Sequence, residues 1–193
     1  RLNSAYGFTY LYAEALTADV VRAATRQWPG RKGEGWPSWA FSNHDAPRHV
    51  TRWGAGRDRD RLARLTMLLL VALRGNIFIY QGEELGLPQA HVPFERLVDP
   101  EAIANWPQTL GRDGARTPMP WTAEAPWGDF STVEPWLPVD PDHLPLSVAV
   151  QDGDPGSMLQ WTRELLALRR RQPALRYGDI RLVRNDGEVL MFE

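Results

Sequence analysis

The sequence contains no cysteine, a single lysine and no apolar run long enough to cross a bilayer. The missing cysteine excludes a disulfide framework and every thiolate mechanism, and it suits a cytoplasmic protein. Apolar stretches all fall short of the ~18 residues a spanning helix needs, so no membrane partner is expected. A formal charge of −2 offers no basic surface to nucleic acid. The opening residues, RLNSAYGF, lack the basic-then-apolar layout of a signal peptide. Lys32 stands alone among 22 basic residues, which reads as genomic bias without functional meaning.

What is present is a regular alternation. Residues 5–11 (AYGFTYL) are aromatic and β-prone. Thr17 caps a helix carrying Val20, Val21, Ala24 and Trp28 on one face, closed by Pro29-Gly30. A short buried strand follows over 38–43. Asp58 caps a strong helix with Leu62, Leu65, Leu69, Ala72 and Leu73 at helical spacing and Gly75 as its stop. Residues 76–80 (NIFIY) are apolar on both faces, as in a covered parallel sheet. Ser157 caps a last helix through Trp161, Leu165 and Leu168, ended by three arginines and Pro173. Residues 181–193 alternate around Asn185-Asp186-Gly187, a hairpin signal. The order β-α-β-α-β-loop-α implies right-handed βαβ units, an α/β fold with a parallel sheet.

Two features break this regularity. Residues 81–155 show no sustained period and hold much of the proline, glycine and tryptophan, and a loop of 75 residues is abnormal unless functional. The second strand ends in FSNHDAPR, delivering Asn43, His44, Asp45 and Arg48 to one spot where α/β folds collect their chemistry. His44-Asp45 is open to three readings: a packed loop pair, a metal site shared with His49, or a carbohydrate or acyl site. The metal reading lacks an H-x-x-x-H helix or further ligands. Arg48 is expected to neutralise Asp45. Glu83 and Glu84 diverge at a turn, so at least one is structural. Arg116 is a fixed donor suited to sugar hydroxyls or carboxylates. Some of Trp106, Trp121, Trp127 and Trp136 are expected as fillers of a loop subdomain, with one or two lining a sugar cleft.

Three segments carry a resemblance. FSNHDAPR resembles the fourth signature segment of the α-amylase superfamily of glycoside hydrolases (family 13), an Asn-His-Asp triplet ending the seventh strand of a (β/α)8 TIM barrel. IFIYQGEELGLP resembles that superfamily's eighth strand and following turn. GRDGARTPMPW is similar to a loop of its α-glucosidase and oligo-1,6-glucosidase branch, where Gln often stands in place of Pro120.

The resemblance implies a retaining glycosidase acting on α-glucoside oligosaccharides without cofactor or metal. Asp45 would be the third catalytic carboxylate, His44 would bind the same sugar hydroxyls, and Arg116 would grip the terminal glucose. The strands would be the sixth to eighth of the barrel, with residues 1–176 as barrel, including the long loop 82–156, and 177–193 beginning a C-terminal β-domain. The nucleophile and general acid follow strands four and five in the family, so the chain would need the missing N-terminal half and be inactive alone. Its outer strands would remain open edges. The alternatives are a glucosyl-transferring or isomerising relative and a non-catalytic, glucosidase-like interaction protein.

Overall fold

The computed structural model describes residues 3–28, 35–124, 126–184 and 189–193. Strand β1 (Ser4–Gly7) runs parallel to β2 (Trp36–Ala40), with Ser4 opposite Trp36, and β2 runs parallel to β3 (Asn76–Phe78), with Trp39 opposite Ile77. The sheet order is β1-β2-β3, so among the described residues both outer strands have an unpaired edge. The outer strands are shorter than their apolar patterns suggest. After Gly7 the chain leaves the sheet and turns Tyr10 into the core, its ring meeting Trp39 and Phe41 edge-on at 5.4 and 4.8 Å.

Three helices start at the caps the sequence signals. The side chains of Thr17, Asp58 and Ser157 accept from Val20, Arg61 and Gln160 N–H, opening α1 (Ala18–Arg26), α3 (Arg59–Ala72) and α6 (Met158–Arg171). Between β2 and α3 lies the single turn α2 (His49–Arg52). The face of α3 differs from the simple stripe. Leu62 and Leu70 turn towards the sheet, Thr66 meets His49, Ala63, Met67 and Val71 turn towards α6, and Leu65 is exposed. The helix is wedged between sheet and neighbour, so two adjacent stripes are buried instead of one. Arg169 of α6 reaches back to the carbonyls of Val71, Leu73 and Gly75, satisfying the open C-terminal end of α3. Gly75 sits at φ +131°, where a Cβ would lie 2.6 Å from Pro37 O, so the close crossing onto β3 requires glycine.

The two sheet faces are unlike. Trp39, Phe41 and Ile77 pack under the helices. The other face carries Ser4, Ser38 and Asn76, hydrogen-bonded to one another at 2.7–3.2 Å, and then Tyr6 against Phe78. Phe78 is half exposed, so β3 is covered on one face only.

The long loop has structure of its own. Its described residues hold four 3-10 turns, α4 (Pro100–Ala104) and α5 (Val148–Asp152). Buried Asp99, Asp113, Asp140 and His143 tie it by polar contacts beside scattered buried apolar residues such as Leu87, Val92 and Leu137, so no hydrophobic period runs through it. Trp106, Trp121 and Trp136 are exposed instead of filling it. Pro173 stops α6 and opens α7 (Pro173–Tyr177). Finally β4 (Leu182–Arg184) pairs antiparallel with β5 (Met191–Phe192). The turn residues Asn185-Asp186-Gly187 and the Pro29-Gly30 stop lie outside the described residues. Among the described residues no helix is long and apolar enough to cross a membrane.

Candidate active site

The C-terminal ends of β2 and β3 lie side by side, and everything chemical gathers there. Beyond β2, Arg52 fixes the exit of the strand by donating to Phe41 O at 2.6 Å and Pro47 O at 2.9 Å. Burial pushes its guanidinium down to about 10. Asn43 then folds the tip, its Oδ1 accepting from Asp45 N–H at 2.9 Å. The turn lifts His44 and Asp45 out of the core, with side chains 67% and 54% exposed and His44 Nε2 3.2 Å from Asp45 Oδ2.

Arg116 arrives from 71 residues further along. Its Nη2 donates to Asp45 Oδ1 at 2.9 Å and its Nε to His44 O at 2.7 Å. Asp45, His44 and Arg116 therefore meet at one point. Arg112, at the other end of the same 3-10 turn (Asp113–Ala115), brings Nη1 to 3.8 Å from the same Asp45 oxygen.

Arg48 does not join them. The expectation that it neutralises Asp45 is wrong: its side chain turns inward, fully buried, and donates to Gln81 O at 2.7 Å and Ala115 O at 3.4 Å. It ties the end of β3 to the turn that carries Arg116. Tyr80 OH donates to the same Ala115 O at 2.8 Å, and burial raises the Tyr80 phenol above its ordinary value. Gly82 allows this packing, since at φ +89° a Cβ there would lie 2.7 Å from Arg48 Nη1.

His49 and Glu83 form a second carboxylate–imidazole contact, buried beneath the first. His49 Nδ1 lies 3.0 Å from Glu83 Oε1 and from Ser42 Oγ, and its Nε2 lies 2.8 Å from Thr66 Oγ1. Glu83 Oε2 accepts from Tyr80 N–H at 2.9 Å. Glu84 turns the other way, accepting from Gly82 N–H, and burial raises its carboxyl above the usual range. The adjacent glutamates thus diverge and serve the backbone. Among the described residues no group of three or more His, Cys, Asp or Glu is placed to hold a metal ion.

Arg112 and Asp99 were not visible as site residues in the sequence. The one available signal was the i, i+4 spacing of two arginines in GRDGAR, which a single turn brings to one side.

Comparison with known proteins decides the lineage. The model of the alpha-amylase catalytic domain matches residues 5–178. The chain belongs to the alpha-amylase family. A probable alpha-glucosidase of Rhizobium meliloti (strain 1021) is 46% identical over 193 residues, covering 100% of this chain and 35% of that protein. An oligo-1,6-glucosidase of Parageobacillus thermoglucosidasius is 31% identical over 188 residues, 88% of this chain and 33% of that protein. The crystal structure of an alpha-glucosyl transfer enzyme superposes with a TM-score of 0.89 at 46% identity, covering 97% of this chain and 35% of its own. The chain therefore spans about a third of the length of the relatives it matches. As members of the alpha-amylase family, β1, β2 and β3 with their helices are a portion of a TIM-barrel fold.

Proposed function

We propose that this chain is part of a retaining α-glucosidase that releases terminal, non-reducing, α-linked glucose from short oligosaccharides. The observation that carries the reading is the meeting of Asp45 and Arg116 at 2.9 Å on an exposed rim at the C-terminal end of the sheet. Family TIM-barrel enzymes work at that face. Asp45 is the carboxylate that binds ring hydroxyls and stabilises the oxocarbenium-like charge, His44 binds the same hydroxyls, and Arg116 grips the terminal glucose. Bonds that strengthen as the charge develops contribute several kcal/mol. The contacts now held by Asp45 are exposed, and such ion pairs are worth about 0–1 kcal/mol, so a sugar displaces them cheaply.

The same reading takes β1, β2 and β3 as the sixth to eighth strands of the barrel, within residues 1–176. Residues 177–193 begin a C-terminal β-domain, supported by the separate pairing of β4 with β5. The nucleophile and general acid, about 5 Å apart in a retaining enzyme, come from outside these residues. A cysteine-free sequence supports a cytoplasmic enzyme.

The test is reconstitution. The 193-residue chain is assayed with an aryl α-glucoside alone and after co-expression with the rest of the barrel. Activity only with both parts, lost in Asp45→Asn, is the expected result. Activity in the chain alone overturns the reading. The likeness to an alpha-glucosyl transfer enzyme favours a second reading, transfer to a sugar acceptor. Both reactions pass through one glucosyl intermediate, so the ratio of oligosaccharide to free glucose among the products separates them.

A further inference from the structure

We infer that Arg52 is the positioning residue of Asp45: its guanidinium clamps both ends of the tip that carries this carboxylate and ties the tip to the exit of the neighbouring strand β1. The inference rests on the glycosidase reading and deepens it.

The tip, residues 42–46, is a tight hairpin. Asn43 and Ala46 face each other across it as an antiparallel bridge, and the Asp45 N–H donates to Asn43 Oδ1 at 2.9 Å. Phe41 enters the tip and Pro47 leaves it, so their carbonyls mark the two sides of its neck. Arg52 donates to both, through Nη2 to Phe41 O at 2.6 Å and through Nε to Pro47 O at 2.9 Å. One rigid, planar group therefore sets the width of the neck. Its Nη1 crosses to the chain beyond β1, donating to Ala13 O at 2.9 Å and Tyr10 O at 3.3 Å. All four bonds go to main-chain oxygens, drawn from three segments.

The anchors are themselves fixed. Tyr10 and Phe41 are buried with their rings edge-on to each other, and Ala13 O also accepts from Trp53 Nε1 at 2.9 Å. The helix α2, which ends in Arg52, is pinned at its start by the His49 N–H on Ser42 Oγ at 2.9 Å. With a pKa of about 10 the guanidinium is still charged at neutral pH, and charged donors make the stronger bonds.

Asp45 needs such a clamp because its own contacts are exchangeable. Its side chain is half exposed and bonds Arg116 on the rim, a contact that a sugar displaces. What then holds the carboxylate in place is the backbone beneath it. A displacement of about 1 Å in a reacting site can cost on the order of 100-fold in rate. The bonds to Tyr10 and Ala13 have a further consequence. On the proposed reading β1 lies beside the strand that brings the general acid, so these bonds register Asp45 against that side of the cleft. Arg52 holds main chain and acts on the reaction through Asp45.

The test uses the intact enzyme and an aryl α-glucoside, with rates taken per folded protein well below each melting temperature. Arg52→Lys keeps the charge without the planar fork. It is expected to lower kcat about tenfold or more while KM changes less than about threefold, because the loss falls on the transition state. Arg52→Gln should lose at least as much, and it replaces the lysine variant if that one does not fold. In an Asp45→Asn background the same substitutions should lower kcat less than about twofold further, because Arg52 acts through that carboxylate. An equal fold loss in both backgrounds, a lowered melting temperature at unchanged kcat, or a rise in KM alone overturns the proposal. If neither variant folds, the sugar-bound crystal structure of the wild-type enzyme decides. With the sugar in place of the Asp45–Arg116 contact, Arg52 should keep Phe41 O and Pro47 O, and loss of either bond overturns the proposal. Full activity in Asp45→Asn would overturn the glycosidase reading and this inference with it, whereas an inactive Asp45→Asn beside a fully active Arg52→Lys sinks this inference alone.

Discussion

Two carboxylate–imidazole contacts lie within one site, and almost everything except their chemistry differs. His44 and Asp45 are 3.2 Å apart with both side chains more than half exposed. His49 and Glu83 are 3.0 Å apart with both side chains at least 95% buried. In the buried pair every strong valence is taken by the fold: Ser42 from the end of β2, Thr66 from α3 and the Tyr80 amide beyond β3. In the exposed pair the partners are themselves on the rim and can be exchanged for a ligand. Residue type therefore says little about role. What decides is whether the remaining hydrogen-bonding capacity is already used by the protein or is open to substrate.

The comparison can be broken from either side, and the buried pair gives the largest expected effect. Glu83→Ala takes the carboxylate from His49, which keeps only the Ser42 and Thr66 hydroxyls, and leaves the Tyr80 amide without its acceptor in the interior. It should cost about 3–5 kcal/mol, read as a lowered urea midpoint in the intact enzyme. A loss below about 1 kcal/mol would mean the buried pair is not a structural tie. Arg116→Ala should act the other way, lowering kcat/KM about 100-fold on an aryl α-glucoside with little change in melting temperature. Destabilisation without a kinetic loss would move Arg116 into the scaffold class.

Arg48 sharpens the comparison because it belongs to both regions. Arg48→Met strands the Gln81 carbonyl, leaves Ala115 O to Tyr80 OH alone and loosens the turn beneath Arg116. A cost of about 1–3 kcal/mol together with a rise in KM is expected. Stability loss with unchanged KM would show that the turn is held without it.

The smallest effect is a pH dependence. The Asp99 carboxyl is depressed from 3.8 to about 2, first of all by its hydrogen bond with Arg112. A depressed carboxyl contributes stability in full above its unfolded value and loses it as pH falls through the folded value. The gap in melting temperature between wild type and Asp99→Asn should thus be constant above pH ~4 and shrink between pH ~4 and ~2. A gap that stays constant down to pH ~2 would show that Asp99 is not held ionised by Arg112.

Much of this was legible in the sequence, for reasons that can be named. Thr17, Asp58 and Ser157 announce their helices because capping is a local event, settled within three residues. The placing of His44 and Asp45 just past a strand was legible because apolar β2 breaks abruptly into polar groups. The buried face of α3 was harder, since a helix wedged between a sheet and α6 buries two stripes and a single-stripe pattern omits Ala63, Met67 and Val71. Arg48 was misjudged because nearness in sequence to Asp45 says nothing about side-chain direction, and the chain turns at Pro47 to send Arg48 inward. Asp99 and Arg112 are 13 residues apart in a stretch built on polar contacts. No periodicity could have paired them.

The central claim is that the exposed carboxylate serves the substrate and the buried one serves the fold. It is tested most directly by measuring kcat and melting temperature together for Asp45→Asn and Glu83→Gln in the intact enzyme. Asp45→Asn should lower kcat about 1,000-fold, the scale of losing a preorganised charge contact, at an unchanged melting temperature. Glu83→Gln should lower the melting temperature clearly while the folded enzyme keeps kcat within about threefold, since its contacts are with the backbone and His49 and not with substrate. An Asp45→Asn enzyme with wild-type kcat, or a Glu83→Gln enzyme that is fully stable and inactive, would contradict the account.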